Sequence, residues 1–348
     1  MPDNSSPLDR YVRQMRFAPL GEAGQRRLGQ GRALICGCGA LGSVAANALV
    51  RAGVGKVRIV DRDFVELSNL QRQMLFDEQD VAAGLPKAVA AAEKLRKINS
   101  QVEIEPIVAD LDYRNVEQFC AGVDVIVDGT DNFETRFLLN DVAVKHRIAW
   151  IYGGALGAEG QTMTILPGET PCLRCLIRDC PAPGSMPTCD TAGILGPLVE
   201  VIASIEALEA LKILSGNRDR ISRQLTVIDL WENRLRQINV AELRDQTDCP
   251  ACKQGQFAWL SGKAVSHTAV LCGRNAVQLT PPAGGEPISF ERLEVKLAPL
   301  GIVQRNAFLL RLKVEGYELT IFADGRAIIG GTDNIATART LYAKYVGN

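Results

Sequence analysis

Residues 32–50, RALICGCGALGSVAANALV, constrain the fold more than any other stretch of the chain. A short apolar run leads into Gly37-Cys38-Gly39-Ala40-Leu41-Gly42, and a helix-forming run follows it. GxGxxG between a strand and a helix puts bare backbone amides and a helix N-terminus where a phosphate binds. Asp61 closes the next apolar run, VRIVD, 19 residues after Gly42, where a ribose-binding carboxylate belongs. Close helix–strand packing alone also asks for glycine, so the motif does not choose between a dinucleotide and ATP.

The alternation continues beyond this unit. IEPIVA at 104–109, DVIVDGT at 124–130 and AWIYGGA at 149–155 read as strands, and the stretches between them as helices. One of these is the helix around 86–98, with Pro86 at its first position. Such β-α-β order predicts an α/β fold: a Rossmann-like, mostly parallel sheet with helices on both faces. A short N-terminal helix over 8–17 is expected to bury Leu8, Val12 and Met15. Residues 197–214, PLVEVIASIEALEALKIL, read as an amphipathic helix whose glutamates exclude a membrane span. LTVIDL at 225–230 is a late strand.

The stretch after Asp61, Arg62-Asp63-Phe64-Val65-Glu66-Leu67-Ser68-Asn69-Leu70-Gln71-Arg72-Gln73, decides the ligand. A nicotinamide enzyme has no use for an asparagine, an arginine and a glutamine packed into five residues there. Beside a triphosphate such groups stabilise charge building on phosphoryl oxygens. Lys87 adds a second cation, although a lysine at a helix start is often merely solvated.

Composition narrows the chemistry further. The chain has 348 residues, enough for about two domains. Lys plus Arg number 39 and Asp plus Glu 40, so no global charge points to nucleic acid or a membrane surface. Only two histidines, His146 and His267, are present, too few for a His-rich metal site. The polar start MPDNSSPLDR does not read as a secretory signal, and a cytoplasmic setting is expected. Ten cysteines in such a setting point to metal binding, reactivity or plain burial. Cys172-Leu173-Arg174-Cys175 and Cys249-Pro250-Ala251-Cys252 can wrap one tetrahedral Zn²⁺ in a closed structural site. Two unrelated pairs, or a redox C-x-x-C, are the other readings. Cys36, Cys38 and Cys120 read as packing residues.

SNLQRQ after VDRD, the later LPK, and Gly129-Thr130-Asp131-Asn132 together resemble the ThiF, MoeB and HesA family, bacterial relatives of ubiquitin-activating enzymes. The resemblance covers about residues 8–252. Ala40 stands where many members carry a further glycine. By this similarity Gly37, Gly39 and Gly42 cradle the phosphates of ATP and Asp61 binds the ribose. Asn69, Arg72, Gln73 and Lys87 lie along the phosphates, and Asp131, with Asn132 beside it, helps hold Mg²⁺. Arg13, in RYVRQ, is implied to enter the neighbouring subunit's site, which makes the protein a homodimer. The cysteine pairs match the family's zinc positions. Cys189, in PTCDTAGILGP, matches a loop whose cysteine forms a covalent adduct in some members; otherwise it is a thiol in a loop.

The implied activity is adenylation of the C-terminal Gly-Gly carboxylate of a ubiquitin-like sulfur carrier, serving thiamine or molybdenum cofactor synthesis. A cysteine desulfurase or rhodanese is the implied sulfur donor. The alternatives are an enzyme adenylating a peptide or a tRNA-linked carboxylate, and a non-catalytic zinc-containing nucleotide scaffold. A dehydrogenase is the fold-level alternative, and SNLQRQ disfavours it.

The domains are expected at 1–254 and 255–348, joined through KQGQF. The second reads as a small α+β domain with a hairpin, FLLRLKV to ELTIF, across Glu315-Gly316. Cys272, in VLCGRN, lacks the arginine-rich loop of a rhodanese site. Gly330-Gly331 reads as a tight turn before the last helix.

Overall fold

The computed structural model describes residues 6–181, 187–264, 268–271, 275–279 and 287–347. Cys272 and His267 lie outside the described residues. The chain divides into two compact units.

The first unit is built on an eight-stranded sheet in the order β3-β2-β1-β4-β5-β6-β7-β8. β1 (Arg32–Cys36), β2 (Lys56–Asp61), β3 (Glu103–Val108), β4 (Val125–Asp128) and β5 (Ala149–Leu156) pair in parallel. β6 (Glu159–Ile165), β7 (Gln224–Asp229) and β8 (Arg234–Asn239) continue the sheet antiparallel. Successive strand side chains alternate between two cores. Ala33, Ile35, Val57, Ile59, Val125 and Val127 pack with the helices Ala40–Ala52, Lys87–Ile98 and Gly196–Ser215. Leu34, Cys36, Val60, Ile126 and Trp150 face the helix Phe133–His146. The strand order reverses between β1 and β4, and an open α/β sheet offers its ligand crevice at the carboxyl ends of the strands at such a point.

Several expectations are corrected. In the N-terminal segment the buried side chain is Tyr11, while Val12 is exposed. The Tyr11 ring lies against the bare Gly53, and its hydroxyl accepts from Asn99 Nδ2 at 2.8 Å, so the largest apolar group takes the buried place. β6 and β8 were not legible, since EGQTMTI and RLRQIN lack apolar alternation. Two glutamates of the helix Gly196–Ser215, Glu206 and Glu209, are buried, so its polar positions do not form a solvated face. The residues after Cys252 do not act as a linker. Phe257, Trp259 and Leu260 join the core behind the sheet, and Asp141 Oδ2 accepts the Trp259 and Leu260 amides at 3.0 and 3.3 Å. The first unit therefore runs to Ala264.

The second unit holds a six-stranded antiparallel sheet in the order β11-β12-β13-β14-β10-β9. Its strands are β9 (Thr268–Leu271), β10 (Ala276–Leu279), β11 (Ile302–Arg305), β12 (Leu309–Val314), β13 (Tyr317–Phe322) and β14 (Ala327–Gly330). Val277, Leu310, Leu312, Leu319, Ile321 and Ile329 share one core with the helices Phe290–Leu297 and Ile335–Tyr345. The hairpin turns at Glu315-Gly316 as expected. Gly331, at φ +95°, makes the turn before the last helix. Among the described residues no helix is long and apolar enough to cross a membrane.

Candidate active site

The site begins where β1 ends. Gly37 has φ +83°, a conformation that side chains resist. A Cβ on Gly42 would lie 1.8 Å from the Gly37 carbonyl oxygen, and one on Gly129 would lie 2.1 Å from the same atom. The end of β1, the start of the helix Ala40–Ala52 and the end of β4 thus meet through three bare backbones. Gly39 caps that helix, and the nearest atom to a Cβ there is Gln73 Nε2 at 3.7 Å.

Asp61, buried at the end of β2, ties this loop to the next segment. Its Oδ2 accepts the Cys38 amide at 2.5 Å and its Oδ1 the Asp63 amide at 2.6 Å. Burial pushes the Asp61 carboxyl above its usual range, with Lys87 opposing the rise. Lys87 opens the helix Lys87–Ile98, with Pro86 at the cap rather than inside the helix. It is 3 % exposed, with Nζ 3.2 Å from Asp63 Oδ2, so it is not a solvated lysine.

Asn69 is buried and locked, its Oδ1 accepting the Glu66 amide at 3.2 Å in a reciprocal cap. Gln73 is also buried, and among the described residues its Oε1 has no hydrogen-bond partner. Arg72 is half-buried, with Nη1 donating to the Ser68 carbonyl at 2.9 Å. Asp131 is exposed just beyond β4. Asn132 caps the helix Phe133–His146 through the Thr135 amide at 2.9 Å. These residues fit a nucleotide: a glycine cradle that a Cβ would fill, a buried ammonium, and an unpartnered buried amide oxygen.

Other predicted residues stand apart. Arg13 is exposed on the N-terminal segment and makes no side-chain hydrogen bond or ion pair among the described residues. Cys189 is half-buried at the start of the short helix Cys189–Ala192, which groups with the second unit rather than with the glycine loop.

Sequence reading missed a second layer. Arg62 Nη1 lies 3.0 Å from Asp110 Oδ1, joining the ends of β2 and β3. Burial works against the Arg62 charge, but Asp110, Asp63 and Asp131 outweigh it and hold the guanidinium more firmly protonated than usual. Arg136 Nη2 donates to the Thr130 carbonyl at 2.7 Å and the Gly153 carbonyl at 2.9 Å. It thereby bolts the Gly129–Asn132 loop to β5. The signal was present, an arginine four residues after Asn132, but a helical arginine reads as a surface residue until its burial is known.

The four paired cysteines meet behind the sheet. Cys172 Sγ lies 3.8 Å from Cys175 Sγ and 3.6 Å from Cys249 Sγ, and Cys175 Sγ lies 3.5 Å from Cys252 Sγ. Four sulfurs about 2.3 Å from a tetrahedral Zn²⁺ stand about 3.8 Å apart, so the donor set fits zinc. Asn140 Oδ1 accepts the Leu173 amide at 2.8 Å and holds the first pair on the helix Phe133–His146.

The glycine cradle at the reversal of strand order, the buried lysine and the amide-rich segment after Asp61 define an ATP-using adenylation domain with a Cys₄ site. The ThiF family profile matches residues 11–251, and the chain belongs to the ThiF family. It is an enzyme of the nucleotidyltransferase kind. It is 44% identical over 339 residues to the sulfur carrier protein ThiS adenylyltransferase of Bacillus subtilis (strain 168), covering 97% of this chain and 99% of the relative. It is 39% identical to the sulfur carrier protein adenylyltransferase of Thermus thermophilus, over 70% of this chain and 90% of that one. The adenylyltransferase and sulfurtransferase MOCS3 of Culex quinquefasciatus is 36% identical, with 72% of this chain and 56% of that one covered. A solved structure of E. coli MccB with ATP shares the fold at TM-score 0.62 and 23% identity, over 72% of this chain and 75% of that one.

Proposed function

We propose that this enzyme adenylates the C-terminal Gly-Gly carboxylate of a ubiquitin-like sulfur carrier, in thiamine or molybdenum cofactor synthesis. The observation that carries this reading is the buried Lys87 beside Asp61 and the glycine cradle, in a chain related over nearly its whole length to a ThiS adenylyltransferase.

The carboxylate is ionised at neutral pH and needs no general base. It attacks the α-phosphorus of ATP. A carboxylate O–P bond forms, the α–β bridging P–O bond breaks, and pyrophosphate leaves. The protein's task is to position the carboxylate and neutralise growing charge. Asp61 holds the ribose, the Gly37–Gly42 amides and Asn69 hold the phosphates, and Gln73 Oε1 takes a donor from the nucleotide. Lys87 and Arg72 face the charge. Asp131 and Asn132 would hold Mg²⁺, which supplies further neutralisation of the phosphate oxygens. Zinc in the Cys172, Cys175, Cys249 and Cys252 site is structural.

Arg13 acts in a partner's site within a homodimer; the exposed apolar side chains of Phe17, Leu67 and Met74 support such pairing. Cys189 attacks the acyl-adenylate with its thiolate: a carbonyl C–S bond forms, the acyl C–O bond to AMP breaks, and AMP leaves a carrier thioester. A persulfide borne by a desulfurase or rhodanese then attacks that carbonyl and releases the Cys189 thiolate, and a reducing thiol cleaves the resulting acyl disulfide to the thiocarboxylate. Burial, aided by Glu134, pushes the Cys180 thiol up to about 11, away from the thiolate that attack requires.

The test is ATP–pyrophosphate exchange dependent on a purified carrier ending in Gly-Gly. No exchange with any such carrier that the protein captures in the presence of ATP overturns the reading. Mixing inactive Arg13→Ala with inactive Lys87→Ala restores some exchange if Arg13 acts across subunits. Cys189→Ala keeps exchange but loses the thiol-sensitive carrier adduct; an adduct that persists there and vanishes in Cys180→Ala means that the wrong cysteine has been chosen.

A further inference from the structure

Glu206 is the most deeply buried acid of the helix Gly196–Ser215, with no exposed surface. It lies directly against β5: a Cβ on Gly153 would sit 2.2 Å from Glu206 Oε1, so the bare glycine is what admits the carboxyl. Among the described residues neither Glu206 oxygen has a hydrogen-bond partner. Of the other buried atoms in that condition among the described residues, two lie at this spot, Asp128 Oδ2 and Arg136 Nε, an ion pair 3.4 Å apart without a hydrogen bond. All three side chains are more than nine-tenths buried. Buried polar atoms are satisfied in native proteins, and where protein groups do not do it an interior water making two to four hydrogen bonds does.

The charged groups around this spot come from three elements. Asp128 ends β4, Arg136 lies on the helix Phe133–His146, and Tyr152 of β5 faces both while its hydroxyl accepts from Gln161 Nε2 at 2.7 Å. On the helix Gly196–Ser215, Glu209 is turned away, toward Thr164 and the Ser222 amide. One guanidinium therefore answers to three carboxyls, Asp128, Asp131 and Glu206, and Asp128 is the one it pairs with. An ionised Glu206 would stand buried with no cation of its own, since Arg136, the guanidinium that acts on it, is already paired with Asp128.

We propose that Glu206 is an uncharged carboxylic acid that, with Asp128 and Arg136, builds an interior water site and thereby positions the loop carrying Asp131. Arg136 is the connecting part. Its Nη2 is committed to the Thr130 and Gly153 carbonyls, so whatever fixes its Nε fixes the loop from Gly129 to Asn132. Burial drives the Glu206 carboxyl well above its usual range, and Asp128 adds to this, in accord with the geometry. The effect on catalysis rests on the adenylation reading; the protonation state and the water do not.

Two measurements separate these. Infrared difference spectra of wild type against Glu206→Gln, at neutral pH and without substrate, should show the C=O stretch of a buried protonated carboxyl lost in the variant. An ionised carboxylate band in its place overturns the proposal whatever the enzyme's substrate is. In carrier-dependent exchange, Glu206→Gln, which keeps shape, neutrality and hydrogen bonding, should stay within about twofold of wild type. Glu206→Leu should lose about 10²-fold in kcat and need more Mg²⁺ for half-saturation, since misplacement of order 1 Å costs that much. Equal loss in both variants, or an unchanged Mg²⁺ requirement in a folded, active Glu206→Leu enzyme, overturns the positioning role. If Glu206→Leu does not fold, the infrared result and the Gln variant still decide.

Discussion

Lys87 Nζ lies 3.2 Å from Asp63 Oδ2, and the Lys87 amide donates to the Asp63 carbonyl at 2.9 Å. The segment after β2 thus holds both ends of the residue that starts the helix Lys87–Ile98. The ammonium is kept at the carboxyl end of the sheet, close to Asp61, instead of extending into water. On the adenylation reading, a lysine buried this way is organised before substrate arrives and stabilises charge on the phosphates.

Removing it should therefore damage catalysis far more than fold. Lys87→Ala is expected to lower carrier-dependent pyrophosphate exchange by about 10²–10³-fold. The backbone bond from residue 87 to the Asp63 carbonyl remains, so circular dichroism and zinc content should match wild type. Exchange within about threefold of wild type would remove Lys87 from the site.

The glycines divide into two classes. Gly42→Ala and Gly129→Ala each force a methyl onto the Gly37 carbonyl oxygen, where neither backbone can retreat. Both should cost more than about 4 kcal/mol and give insoluble or strongly destabilised protein. Gly39→Ala meets nothing closer than 3.7 Å and has negative φ, so it should fold. Its methyl instead obstructs a phosphate approaching the backbone, and calorimetric ATP affinity should fall. Equal stability of Gly42→Ala and Gly39→Ala would show that the close approach is not what the glycines serve.

The Cys₄ cluster predicts one tightly held Zn²⁺ per chain. Cys249→Ser removes a thiolate from a site whose sulfurs stand 3.5 to 3.8 Å apart and should release the metal. Melting temperature should drop, and a strong chelator should reproduce the drop in wild type. Cys36→Ser is the control: buried but not one of the four donor sulfurs, it should retain full zinc. Metal analysis finding no zinc in folded protein prepared without oxygen would sink the assignment.

Much of this was readable before any coordinates. Gly37, Gly39, Gly42 and Asp61 sit at fixed offsets along one chain segment, and local spacing of that kind survives folding unchanged. The paired cysteines are legible because two residues of separation allow few geometries. What stayed hidden depends on partners far apart in sequence. Arg136 and Glu206 are ordinary helix formers, and only the packing of two helices against β4 and β5 buries them together. Tyr11 displaced Val12 from the interior because Gly53, forty-two residues on, leaves room for a ring. β8 pairs with β7 through backbone alone and carries exposed residues throughout, so no pattern could announce it.

Asp141 offers a test of how the last part of the first unit is held. Its carboxyl is buried on the helix Phe133–His146, and Oδ2 accepts the Trp259 and Leu260 amides. Burial pushes it up to about 6, against an ordinary value of 3.8, with the two amides opposing. A raised value means that the folded protein binds this proton more tightly than the unfolded chain. Its contribution to stability is therefore fully present below the unfolded value and is lost as pH rises through about 6. At full development it is worth about 3 kcal/mol. Asp141→Asn keeps an acceptor for both amides but has no proton to bind. Measured side by side with zinc in excess, the stability of wild type relative to Asp141→Asn should rise as pH falls from neutrality through 6 toward 4. Parallel curves over that window would mean that the carboxyl is solvated in the folded protein, and that residues 255–264 are not held by the buried contact at Asp141.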